Sequence, residues 1–160
     1  MYHGFGCEDF LPTCPSVLMS APSGCDLNNP PPRTADGCGA GPTAGIVPDF
    51  LVVNGVGAAF GNIFTEACNA HDHCYGEFKS GKHRCDAQLE VDMITHARDR
   101  IPTAVWPVFE PHVRLQAAAF RIALEQPPIA WIAQSAYSAA QNEGKCRSVA
   151  LAAAEYGCLP

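Results

Sequence analysis

The chain has 160 residues, 48% hydrophobic and 16% charged, with a formal net charge of −6. That length and balance suit one globular domain with a real core and exclude a disordered tail. The acidic balance argues against a nucleic-acid surface, and no apolar run approaches the ~20 residues of a membrane-spanning helix.

Nine cysteines are scattered along the chain with no paired CxxC knuckles. That pattern reads as a disulfide framework, and hence a secreted, extracellular protein. The count is odd, so at least one cysteine is free or pairs between chains. Met1–Gly6 carries neither a basic n-region nor an apolar h-region. The secreted reading therefore expects a processed or engineered terminus there.

In chain order, Met1 to Arg33 mixes Cys7, Cys14 and Cys25 with six prolines, Pro12, Pro15, Pro22 and Pro30–Pro32. Prolines fix φ and remove donors, so this segment is expected to be irregular, with short helical pieces at most. Asp36–Gly41 reads DGCGAG. Its alternating glycines permit backbone geometries closed to other residues, so several carbonyls can turn towards one point. Ile46–Val53 is apolar and runs into the small-residue stretch Asn54–Gly61. The glycine spacing there is one residue too long for a dinucleotide-binding turn, and no βαβ unit follows. Phe50, Leu51, Val52, Val53 and Phe60 read equally well as core or as the lining of an apolar slot or interfacial patch.

The first long helix is expected from a cap at Asn62 or Thr65 to about Phe78. Ser80–Gly81 is a stop and turn signal. A second helix is expected from about His83 to Arg98, with Asp86, Leu89, Met93 and Ala97 on its inward face. The intervening loop is short, so the two helices should be antiparallel neighbours. Pro102–Pro111 breaks the pattern, and His112–Glu125 resumes it with Val113, Ala117, Phe120 and Leu124 on one face. Pro127–Pro128 stops it again. Ile129–Gln141 and Lys145–Tyr156 read as two further helices. Ordinary core packing is the better reading for at least two of Trp106, Phe109 and Trp131; the other reading is a membrane surface. Cys146 and Cys158 would lie ~18 Å apart along a helix, too far to pair with each other. They are expected to pair separately with two of Cys7, Cys14 and Cys25, tying the chain's ends together. The fold class is thus all-α, over a single domain: an irregular segment 1–33, a core 36–98 and a helical part 100–160.

The chemistry concentrates in Cys68–Asp86, CNAHDHCYGEFKSGKHRCD. Helix positions three and four apart share a face, so Cys68, His71, Cys74 and Tyr75 form one inward stripe. Asp72 lies about 100° away round the helix. Histidine is the side chain best suited to move a proton near neutral pH, and a partner on its far nitrogen fixes its tautomer. If Cys74 bonds Cys85 across antiparallel helices, His71 approaches Asp86, and Tyr75 reaches the same carboxylate. If Cys38 bonds Cys68, the glycine loop comes within reach of Asp72. One carboxylate with several carbonyl oxygens favours Ca²⁺.

CNAHDHCY resembles the Cys-x-x-His-Asp-x-Cys-Tyr helix motif of secreted phospholipases A2. Cys85–Asp86 is similar to that family's second-helix Cys-Asp, and DGCGAG resembles its calcium loop. The resemblance covers Asp36 to about Met93, and residues 1–33 and 100–160 fall outside it. It implies His71 as general base, Asp86 as its orienting partner and Tyr75 as support for Asp86. It implies Asp72 and the carbonyls of Gly37, Gly39 and Gly41 as Ca²⁺ ligands, with the Gly39 amide at the oxyanion. The implied reaction is hydrolysis of the sn-2 ester of glycerophospholipids at a membrane or micelle surface. Two features depart from the family: Ala67 stands where many animal relatives carry a cysteine, and the interhelix loop is much shorter.

Two other readings compete. One is a catalytically silent, toxin-like or receptor-binding relative. The other is a zinc site on Cys68, His71, His73 and Cys74. His73 lies off the stripe and is expected at the surface, as are His3, His83, His96 and His112.

Overall fold

A computed structural model describes residues 14–35 and 63–159 of the chain. Among them the regular structure is helical, with no strand. The helices are α1 (Cys14–Met19), α2 (Thr65–Tyr75), α3 (Lys82–Arg100), α4 (Trp106–Glu125) and α5 (Ile129–Glu155). The chain divides into two compact units: Pro32–Gln141, and Met1–Pro31 together with Asn142–Pro160.

In the larger unit α3 packs against both α2 and α4. The inward face expected for α3 is the observed one, with Asp86, Leu89, Met93 and Ala97 all buried. Leu89, Met93 and Ala97 meet Ile63, Phe64, Ala67 and Cys68 from the α2 side and Val113 and Ala117 from α4. Phe120 and Leu124 pack at the edge of this core, as do Trp106 and Phe109. Trp131 is instead 70% exposed. Apolar spacing of three and four residues is what brings these side chains to one seam.

Helix ends depart from the sequence pattern in instructive ways. Thr65 does not cap α2; it is the first helical residue, and Phe64 stands at the boundary with no side-chain cap. α2 stops at Tyr75, three residues before the expected Phe78. Lys79 at φ 66° and Gly81 at φ 85° then reverse the chain. Gly81 serves directly as the N-cap residue of α3. α4 starts at Trp106, not His112, with one proline in its first turn and Pro111 inside it. A first-turn proline costs nothing, because that N–H has no intrahelical partner. Pro111 forfeits one backbone bond, and the burial of Val113 with the partial burial of Trp106 and Phe109 offsets it. The two helices expected after Pro128 are one, because Asn142–Gly144 holds no proline and a single glycine costs only about 1 kcal/mol.

In the smaller unit, two disulfides join α1 and the segment after it to the end of the chain. Cys14 pairs with Cys158 and Cys25 with Cys146, at Cα separations of 5.2 and 5.6 Å. The expected separate pairing of Cys146 and Cys158 is therefore observed. Arg147 also donates to the Pro31 carbonyl at 3.2 Å. Val149, Ala150 and Ala153 are buried on this half of α5. Such links act largely by shrinking the unfolded ensemble, most for long loops, which suits a unit built around irregular, proline-rich chain. No helix among the described residues is long and apolar enough to cross a membrane.

Candidate functional site

The site forms where α2 and α3 run side by side. Cys74 and Cys85 are disulfide-bonded with their Cα atoms 5.7 Å apart. That bond fixes the register of the two helices one turn from the polar groups. His71 Nε2 then lies 2.9 Å from Asp86 Oδ1. The Tyr75 hydroxyl donates to the same oxygen at 2.6 Å. The Tyr75 ring also stacks at a tilt against His71, 4.1 Å between centroids. So His71, Tyr75 and Asp86 converge, as expected if Cys74 bonds Cys85.

Asp86 is sealed, with a side chain 2% exposed, while the His71 side chain is 10% exposed. Burial alone would raise the Asp86 carboxyl, but hydrogen bonds from His71, Lys82 and Tyr75 and the Lys82 charge outweigh it. The result is a pKa below the ordinary carboxylate value, so Asp86 is an anion that only accepts. Its Oδ1 therefore requires the His71 proton on Nε2, which leaves the lone pair of the neutral ring on Nδ1. Tyr75 is pushed far up, first by burial, then by its bond to Asp86 and by the charges of Asp86 and Asp72. It remains a neutral donor at any working pH. The arrangement is a proton acceptor with a fixed tautomer and an anion behind it to stabilise its protonated form.

Two further groups hold this geometry, and the sequence reading missed both. Lys82 Nζ donates to Asp86 Oδ2 at 2.6 Å and to the Leu124 carbonyl at 3.2 Å. Its i,i+4 spacing from Asp86 was visible, but starting α3 at His83 hid it. The second group comes from α5. Gln141 Nε2 donates to the carbonyls of Tyr75 and Glu77 at 2.7 and 2.8 Å and to Ser80 Oγ at 3.2 Å, and its Oε1 accepts from the Lys79 N–H at 2.8 Å. Tyr137 accepts from the Gly81 N–H at 3.1 Å, and its ring meets Tyr75 edge-on at 5.1 Å. These bonds occupy the last carbonyl of α2 and hold the turn that follows it. Nothing local to residues 76–81 signals partners 56 to 66 residues away.

No protein-family model, curated protein or solved structure matches this chain. The likeness to phospholipases A2 therefore rests on the sequence motifs alone.

Asp72 is partly buried beside His71 on α2. Gly37, Gly39 and Gly41 lie outside the described residues, as do Cys38, His3 and the apolar residues Phe50–Val53 and Phe60. Cys68 is disulfide-bonded, and its partner also lies outside them. The zinc alternative loses its thiolates, because both Cys68 and Cys74 are in disulfides. Among the described residues no three His, Cys, Asp or Glu side chains are grouped to hold a metal. His73, His83 and His112 are exposed as expected. His96 is partly buried beside Glu66, 3.2 Å from its carboxylate.

Proposed function

We propose that the protein is a secreted, calcium-dependent hydrolase of the phospholipase A2 type, acting on the sn-2 ester of glycerophospholipids at a lipid surface. The observation that carries this reading is the His71–Asp86–Tyr75 cluster, held in register by Cys74–Cys85. A merely structural histidine has no need of a buried anion bonded to one of its nitrogens. The disulfide framework supports folding in an oxidising compartment.

His71 Nδ1 takes a proton from the attacking water as the oxygen–carbon bond forms. Asp86 keeps the Nε2 proton in place and balances the charge the ring gains. Tyr75 donates a second hydrogen bond to the same oxygen of Asp86 and so keeps its charge satisfied. The proton on Nδ1 passes to the departing glycerol oxygen as the acyl–oxygen bond breaks, leaving a fatty acid and a lysophospholipid. Asp72, with the carbonyls of Gly37, Gly39 and Gly41, would hold Ca²⁺. When bound, the ion polarises the ester carbonyl and stabilises the oxyanion. By the resemblance, the Gly39 amide would donate to the same oxygen.

The test is release of fatty acid from a phospholipid labelled only at the sn-2 acyl chain. Chelation with EDTA should abolish release and excess calcium restore it, while His71→Ala and Asp72→Ala should each lose it with the fold intact by circular dichroism. Release that survives chelation or either substitution refutes the mechanism. Its absence from the calcium-loaded wild type leaves the silent relative as the better reading.

A further inference from the structure

We infer that Lys82 is a positioning residue of this site: its ammonium locks the Asp86 carboxylate so that Oδ1 faces His71, and it ties that orientation to the C-terminal end of α4. The inference rests on the hydrolase reading only for its kinetic consequence. The carboxylate divides its partners cleanly. Oδ1 receives His71 and Tyr75, and Oδ2 receives Lys82. With only the first two, the group would be held through one oxygen and free to tilt about its Cβ–Cγ bond. The third bond fixes the carboxylate plane and with it the line from Oδ1 to His71 Nε2.

Lys82 is well placed to do this. Its side chain is 17% exposed, and its charge lies between Asp86 Oδ2 and the Leu124 carbonyl. Leu124 belongs to the last turn of α4, where carbonyls lack intrahelical donors and the helix end is partially negative. The cation thus has two acceptors of suitable sign, from two helices. A second, independent observation concerns its position on α3. Lys82 is the first residue of that helix, and the first turn carries no acidic residue. A cation there opposes the helix dipole. Its siting is therefore unfavourable to the helix itself and is explained by what its far end does.

The experiment compares Lys82→Met, which keeps an apolar stem and removes the ammonium, in the wild-type and Asp86→Ala backgrounds. The first readout is the ¹H/¹⁵N resonance of the His71 Nε2–H in calcium-free protein, which needs no turnover. The second is kcat and KM on the sn-2-labelled phospholipid. In the wild-type background Lys82→Met should shift or broaden the Nε2–H resonance and lower kcat about tenfold at unchanged KM, a misplacement effect. In the Asp86→Ala background it should change neither, because no side chain remains at position 86 for it to act through. Lys82→Gln is read in the same way should the methionine variant fail to fold. An unchanged resonance in the wild-type background overturns the proposal, as does an equal loss in both backgrounds or a loss carried by KM. If the wild type shows no turnover, the functional reading fails alone, and the resonance still decides the role of Lys82.

Discussion

Replacing Asp86 by asparagine keeps the shape of the side chain and removes its charge, which isolates what the buried anion contributes. Asp86 accepts from Lys82, Tyr75 and His71 at 2.6, 2.6 and 2.9 Å. An amide has one acceptor oxygen and one donor group. If its oxygen faces His71 and Tyr75, its NH₂ opposes the Lys82 ammonium. If its oxygen faces Lys82, the NH₂ opposes Nε2–H, and His71 must take the other tautomer. Removing one partner of a buried ion pair costs about 3–5 kcal/mol. Lys82 is partly exposed and the amide keeps one neutral bond, so the lower end, about 3 kcal/mol, is expected. The assay is urea unfolding followed by far-ultraviolet circular dichroism, with disulfides intact, at neutral pH and in acid. Because the Asp86 pKa in the folded protein lies below 3.8, the unfolded chain takes up its proton first as pH falls. The contribution of Asp86 is therefore whole above 3.8 and is lost as pH drops through the lower, folded-state value. The gap between wild type and Asp86→Asn should be constant near neutrality and narrow in acid. A gap under about 1 kcal/mol at neutral pH, the scale of an ordinary hydrogen bond, or one that widens on acidification, refutes the reasoning.

Two further predictions concern the frame around the site. Gln141→Ala should cost about 1–3 kcal/mol, because it leaves the Tyr75 and Glu77 carbonyls short of a donor. It should also speed hydrogen exchange at the Lys79 amide, and an unchanged exchange rate would show that Gln141 does not hold the turn. Met93 is fully buried between the α2 and α4 sides of the core. Met93→Ala should lower unfolding stability by about 2–5 kcal/mol, against ~0.5 kcal/mol or less for Val91→Ala on the exposed face. Equal effects at the two positions would show that the α3 face is misassigned.

How much was legible follows from the range of the interaction. Helical spacing alone placed His71 and Tyr75 on one face of α2 and Asp86, Leu89, Met93 and Ala97 on one face of α3, as observed. That works because side-chain direction repeats with the helix turn whatever lies outside it. Element ends were less legible. Proline and glycine signals misplaced the start of α4 and split α5, since a local penalty of about 1 kcal/mol for glycine, or one lost bond for proline, is overridden when the flanking apolar residues are buried.

The sequence by itself determined the polar cluster, because His71, Tyr75, Cys74, Cys85 and Asp86 sit within sixteen residues and one disulfide sets their register. Only the tertiary structure decided which cysteines close the ends of the chain, that Gln141 and Tyr137 clamp the turn, and that Lys82 joins Asp86 to Leu124. Those bonds link residues 42 to 144 positions apart, and no repeat along the chain encodes which distant partner packing will bring within 3 Å.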